Sequence, residues 1–348
     1  MGMNATYLNM VRRAGERQGW WNSDGIVAAL SGGGDSVALL WLLKKCYKGR
    51  IVVAHLDHCT RNGASHEDAK FCMDLCQKWD IEYRVKIVDV AAVRVTGESF
   101  EMAGRRARYE HFYETAEKEH IDFIAVGHSA DDLVETQLMN LFRGTGLDGL
   151  RGIPERRGMV VRPIIDFRRD ELRDILRGNG IEWREDSSNA DNDYARNRVR
   201  NELIPWVRCN LNKNFESVMI GLARQINSEL SERSEETERR IAEVSFDLPP
   251  SIASWKVPPL KNLSENVIIN MLRAQGGKLG LRTLSRDRTH ELAALITKGG
   301  FWRFQWSGDV EVCYSDRGIG WLHRADVENA LIKNKQKNLK QSLPWWAR

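Results

Sequence analysis

Apolar and polar positions in the first half of the chain alternate between short solid runs and longer periodic stretches. Ile26–Leu30 (IVAAL) is a short apolar run ending in a glycine turn, and Val37–Lys45 after it carries apolar residues at helical spacing. Ile51–Leu56 (IVVAHL) repeats the theme and leads into helical periodicity over Glu67–Trp79. Tyr83–Val88 is a third strand candidate; the long helical stretch Phe100–His120 leads to Phe123–Gly127 (FIAVG), then to a helix over Asp131–Phe142. Such alternation predicts an α/β fold: a mostly parallel sheet with helices on both faces. Ligands of these sheets bind at the carboxyl ends of the strands, and the unusual residues of this chain fall there.

The remaining pattern is less regular. Residues 3–19 read as a short basic amphipathic helix, Arg143–Gly158 as a glycine-rich loop, Arg168–Asn179 as a helix and Asp186–Asp193 as a polar loop. Phe215–Val244 reads as one long, highly charged helix. Pro249, Pro250, Pro258 and Pro259 mark a boundary. Beyond it a small α+β module has helices near Glu265–Ala274 and Ser285–Thr297 and a β-meander over Phe301–Leu322. The expected organisation is a catalytic domain over 1–214, a linking helix over 215–248, an accessory domain over 249–330 and a basic tail over 331–348. The tail is expected to be unfolded or to fold on a partner.

Composition narrows the class. With 348 residues, 42% hydrophobic and 29% charged, the chain can bury a sizeable core and is not globally disordered. A net charge of +4 allows an anionic partner without requiring one. Its distribution says more, because residues 333–348 hold five Lys/Arg and no acid. None of the six cysteines forms a C-x-x-C pair, and a disulfide framework is not expected in a chain this long, so a reducing compartment is. No apolar run approaches the ~20 residues that span a bilayer, and the N-terminus lacks an apolar leader core. A cytoplasmic protein without membrane partners is expected.

The glycine turn carries the first chemistry. Ser31-Gly32-Gly33-Gly34-Asp35-Ser36 joins a buried strand to a helix. Three glycines let the backbone come close to a phosphate and turn its N–H groups inward, and the helix start adds its positive end. No Gly-Lys-Ser/Thr follows, so this is not a Walker A loop, and the glycine spacing is not that of a dinucleotide fingerprint. A plain strand–helix turn is the alternative reading of a bare glycine triplet; the flanking Ser31, Asp35 and Ser36 favour phosphate binding.

The hexapeptide resembles the SGGxDS pyrophosphate loop of the ATP-pyrophosphatase superfamily. Further motifs choose within it. His55-Leu56-Asp57-His58-Cys59-Thr60-Arg61, Ala103–Tyr109, Gly127–Thr136, Glu185–Asn189 and Arg196–Arg200 resemble, in this order, the HxDHxxR, AR-x-x-RY, GHxxDDxxET, EDxSN and RNRxR signatures of tRNA(Ile)-lysidine synthetases. The likeness is close over about residues 20–215. Cys59 stands where that family usually has Gly, and Gly104 where it usually has Ala.

The resemblance implies an adenine nucleotide alpha hydrolase-like fold and ATP-dependent ligation of L-lysine to C2 of the wobble cytidine of tRNA(Ile) with a CAU anticodon. The reaction passes through an adenylated tRNA and releases AMP and pyrophosphate. It implies ATP and Mg²⁺ at Ser31, Gly32, Gly33, Gly34, Asp35 and Ser36, with His55 and Arg105 beside the nucleotide. Asp131, Asp132 and Glu135 would hold the lysine, although acids in a first helical turn are also what the helix macrodipole favours. Asp35, Asp132, Glu135, Arg196 and Arg198 form the catalytic set, and Arg198, Arg200 and Arg208 the tRNA contacts. His55, Asp57 and His58 are not expected to form a dedicated metal site, for want of further ligands. Trp302, Phe304 and Trp306 share a strand face and read as core rather than as a base platform. The basic tail with Trp345 and Trp346 is better placed for weak RNA contact, and reads equally as a solubilising end. The alternatives are an ATP-dependent tRNA thiolase and a non-enzymatic RNA-binding protein. A homodimer is one assembly the sequence allows.

Overall fold

The computed structural model describes residues 3–59, 64–185, 195–328 and 345. The polar loop Asp186–Asp193, Thr60, Arg61 and the basic tail apart from Trp345 lie outside the described residues. The chain forms two compact units, 1–227 and 228–348, with the division inside a long helix.

In the first unit the elements run α1 (Met3–Gln18), β1 (Gly25–Ala29), α2 (Gly34–Cys46), β2 (Arg50–Asp57), α3 (Ala64–Lys78), β3 (Glu82–Ile87), α4 (Val90–Val93) and α5 (Phe100–Lys118). There follow β4 (Ile124–Ala125), α6 (Ala130–Phe142), α7 (Leu147–Leu150), β5 (Arg156–Arg157), β6 (Val160–Val161) and α8 (Arg169–Gly178). A helix then runs from Ala195 to Asn210 as α9 (Ala195–Arg198), a π-turn at Val199–Leu203 and α10 (Ile204–Asn210). It leads to α11 (Phe215–Val244).

The sheet order is β3-β2-β1-β4-β6-β5, parallel except for β5. Strand alternation explains why both faces are covered. Ile26, Ala28 and Val53 face one core with Leu39, Leu42 and Phe167, while Val27, Val52 and Ala54 face another with Phe112 and Ala116 of α5. Burial on two faces is what the continuous apolar runs IVAAL and IVVAHL encode. The chain steps from β1 outward to β3 and returns to place β4 on the other side of β1. That reversal opens a crevice between the ends of β1 and β4.

Two expectations shift here. Arg143–Gly158 is not loop throughout, for it holds α7 and β5, and β6 follows at once. Two-residue strands are too short to show a period. The second unit has α12 (Val257–Leu260), α13 (Glu265–Lys278), α14 (Arg286–Lys298) and the meander β8 (Trp302–Ser307), β9 (Val310–Tyr314), β10 (Ile319–His323), with an added strand β7 (Ala253–Trp255) paired to β10. Phe304 and Trp306 are buried in its core with Trp255 and Trp321, as the reading of that face as core requires.

Trp345 differs from expectation. It is buried against Cys313, Leu322 and Val327, and its indole N–H donates to the Pro249 carbonyl at 3.3 Å. A Cβ on Gly320 would overlap its ring, so Gly320 makes the room. Trp345 is therefore a core residue rather than an RNA contact, and truncation after Ala330 would open this core.

Gly104 is buried in α5, and a Cβ there would meet His58 at 3.5 Å, an ordinary contact. Gly104→Ala is accordingly expected to raise stability by about 0.5–1 kcal/mol, because a helical glycine costs backbone entropy that alanine does not. A urea midpoint equal to or below that of the unaltered chain would contradict this.

Candidate active site

The loop Ser31–Gly33 leaves β1 and enters α2 with Gly32 at φ +87°, a left-handed conformation natural to glycine. Ser36 Oγ accepts from the Ser31 N–H at 3.1 Å and donates to the Gly33 carbonyl at 2.9 Å, which closes the loop on itself. Gly33 caps α2 without a side chain, so no side chain occupies the positive helix end. Arg184 N–H donates to the Gly32 carbonyl at 2.9 Å from one side. On the other, a Cβ at Gly127 would stand 3.2 Å from Ser36 N and Cα, so any larger residue at the end of β4 would press the loop back by a few tenths of an ångström.

His55, expected beside the adenosine, is buried under the loop. Its Nδ1 donates to the Leu30 carbonyl at 2.8 Å, and burial pushes the imidazole below its ordinary pKa, so it is neutral. Three buried polar atoms near the loop lack a hydrogen-bond partner among the described residues: Asp35 Oδ1, His55 Nε2 and Trp183 Nε1. Such atoms call for an explanation, and a bound polar ligand supplies one.

Beside the loop, at the start of α6, lies a cluster of carboxylates and guanidiniums. Asp132 accepts from both the N–H (2.9 Å) and the hydroxyl (3.0 Å) of Ser129, a capping arrangement that explains its place in the first turn. Glu135 is one turn further along and 1% exposed. Arg200 Nε donates to its Oε1 at 2.6 Å and Arg196 Nε to its Oε2 at 2.8 Å. Arg169 joins this cluster to the loop: it reaches Asp35 at 3.4 Å, Asp132 at 3.2 Å and Glu135 at 3.4 Å. Burial pushes Asp35 up to about 6; Arg169 opposes that and Asp132 adds to it. Burial also acts to raise Asp132, but Arg169, Arg196 and the Ser129 N–H bring it below the ordinary carboxylate range. His128 is held neutral, its pKa lowered to about 4 chiefly by burial, and its Nδ1 accepts from Arg162 Nε at 3.1 Å.

Of the expected site residues, the structure thus brings together Asp35, Asp132, Glu135, Arg196 and Arg200. Asp131 stands beside them, accepting from Arg168 and from the Arg169 backbone N–H. Arg105 is exposed over the Tyr109 ring, with its charge felt at His128. Arg208 is engaged with Glu216, and Arg198 lines a neighbouring groove on the same two helices. Arg168 and Arg169 escaped sequence reasoning. Their signal was available: two arginines at the opening of a helix oppose its dipole and need carboxylates nearby.

Arg196 and Arg200 are four residues apart on one helix, which turns both toward Glu135. Pro205 has no N–H for the Asn201 carbonyl, and the chain opens into the π-turn, with the Ile204 N–H bonding Val199 instead. Among the described residues no three His, Cys, Asp or Glu side chains are placed to hold a metal by themselves, and no helix is long and apolar enough to cross a membrane.

A glycine loop on a helix start, at the crevice of a parallel sheet, defines an α/β nucleotide-binding domain. A family model described as a PP-loop domain matches residues 7–207. The tRNA(Ile)-lysidine synthase of Clostridium acetobutylicum is 38% identical over 209 residues, 59% of this chain and 44% of that one. The tRNA(Ile)-lysidine synthase of Chlorobaculum tepidum is 33% identical over 276 residues, 76% of this chain and 82% of that protein. Among solved structures, the U34-tRNA thiolase NcsA from Methanococcus maripaludis, with its [4Fe-4S] cluster, shares the fold at TM-score 0.51 and 16% identity, over 64% of this chain and 80% of that one. The chain belongs to the PP-loop family and, within it, to the tRNA(Ile)-lysidine synthases. It spans about half the length of the clostridial relatives.

Proposed function

We propose that this chain ligates L-lysine to C2 of the wobble cytidine of tRNA(Ile) with a CAU anticodon. The observation that supports this best is the continuity of the site: Arg169 links Asp35 of the phosphate loop to Asp132 and Glu135. ATP would lie with its phosphates over Gly32–Ser36. Mg²⁺ typically takes one or two protein carboxylates plus phosphate oxygens, and the buried, unpartnered Asp35 Oδ1 fits that demand. The C2 carbonyl oxygen attacks the α-phosphorus, the α–β anhydride breaks and pyrophosphate leaves. Lysine's ε-amine then attacks C2 and loses a proton, and the C–O bond breaks to release AMP.

Asp131, Asp132 and Glu135 are the carboxylates for the lysine ammonium groups. Because Asp132 and Glu135 already share guanidiniums, lysine competes with arginine there. Phosphates that draw Arg169 or Arg196 toward themselves would ease its entry, since guanidinium suits bidentate phosphate contact. The test is incubation with tRNA, ATP and labelled lysine. A labelled nucleoside is expected, and its absence with folded protein would overturn the reading.

The thiolase alternative has one foothold, the exposed Cys59 at the end of β2. Its φ of 51° is left-handed, which explains why the family pattern has glycine there. Cys59→Ser is expected to keep lysine transfer within a few-fold; a collapse of activity, or sulfur in the product, would favour thiolation.

A further inference from the structure

The C-terminal half of α6 and the helix from Ala195 enclose an open groove of about 550 Å³. Met139, Phe142 and Arg143 line it from α6, and Arg198, Glu202 and Trp206 are among the residues that line it from the other helix. Both sets recur at three- and four-residue intervals, so each helix turns a single stripe to the groove. Phe142 is 63% exposed and Trp206 55%. Large aromatic rings this exposed, flanked by Arg143 and Arg198, combine apolar faces with positive charge. The groove lies along the same two helices as the acid–arginine cluster, for Phe142 is seven residues beyond Glu135 on α6, about 10 Å along the helix. Arg198 is carried by the same helix as Arg196 and Arg200, which both hold Glu135, and faces the groove instead.

We infer that this groove receives an unstacked nucleotide flanking the reacting cytidine. An unpaired base offers a π-face for Trp206 or Phe142, and its backbone a phosphate for Arg143 and Arg198. Those are the contacts by which proteins hold single-stranded RNA loops. Solvent-exposed aromatic rings alone would suit any apolar partner; two arginines at the same groove select a polyanion. The inference deepens the lysidine reading and rests on it for the identity of the RNA, but not for the groove's chemistry.

The experiment uses anticodon stem-loop RNAs of tRNA(Ile) carrying 2-aminopurine at successive loop positions, with the full chain. Quenching of the probe is expected at one position next to the cytidine. Trp206→Ala should abolish that quenching and weaken RNA binding roughly 5- to 150-fold, the range for loss of one base–aromatic stack. Trp206→Phe should restore both in large part, which a purely structural role for the indole would not predict. Arg198→Ala should flatten the salt dependence of binding by about one phosphate contact. Equal RNA affinity for Trp206→Ala and the unaltered chain, or no quenching at any loop position, would overturn the inference, including in favour of a protein partner in the groove. If the unaltered chain quenches the probe but transfers no lysine, the groove stands and the lysidine reading falls.

Discussion

Asp35→Asn is expected to give a chain that is more stable at pH 7.5 and inactive. Burial, partly opposed by Arg169, lifts the Asp35 carboxyl from 3.8 to about 6 in the folded state. A raised carboxyl pKa means the fold prefers the protonated form. Its stabilising contribution is complete below about pH 4 and is lost as pH rises through about 6. At pH 7.5 the ionised carboxylate therefore works against folding, by about 1–3 kcal/mol given one pKa unit per 1.36 kcal/mol and a side chain that is not fully buried. The neutral amide removes that burden, and the urea midpoint should rise. Activity should fall on the order of 100-fold or more, because the charge that holds Arg169 and meets the nucleotide's metal is gone. Near-normal lysine transfer by Asp35→Asn would remove this residue from the mechanism.

Glu135→Ala acts in the opposite direction on stability. Its two carboxylate oxygens are the shared acceptors of Arg196 and Arg200, with Arg169 beside them. Removing it takes from Arg196 and Arg200 the carboxylate they share and leaves Asp132 beside three guanidiniums. Breaking a buried pair from one side costs about 3–5 kcal/mol; the partial exposure of Arg196 and Arg200 places the expectation near the low end of that range. Lysine transfer should be lost even at temperatures where the chain stays folded. Asp131→Ala is the internal comparison, since Asp131 binds only Arg168 and the Arg169 backbone among these groups, and about 1–2 kcal/mol is expected. Urea titrations of the three proteins decide the order. Equal losses for Glu135→Ala and Asp131→Ala would show that the arginines do not depend on Glu135.

Much of this was legible along the chain because local spacing encodes it. The runs IVAAL and IVVAHL are buried on both faces, so they read as central parallel strands. Gly32 and Gly127 answer backbone needs that a sequence can signal only as glycine. The acids of α6 were visible as a first-turn trio, but their partners were not. Arg169 lies 34 residues from Glu135 and Arg196 lies 61 beyond it. No local period links such positions.

The amino-acid sequence by itself determined the alternation of strands and helices, the phosphate loop and its family, because each depends on contacts within a few residues. Tertiary structure alone decided which charges meet. It placed a neutral His55 against the Leu30 carbonyl under the loop and set Arg208 against Glu216. It put Trp345 into a core and left Arg198 in a groove with Trp206. The physical reason is common to all four. The partner of a long charged or aromatic side chain is chosen by which distant segment folds against it, and pairing and burial energies are settled only once both are in place.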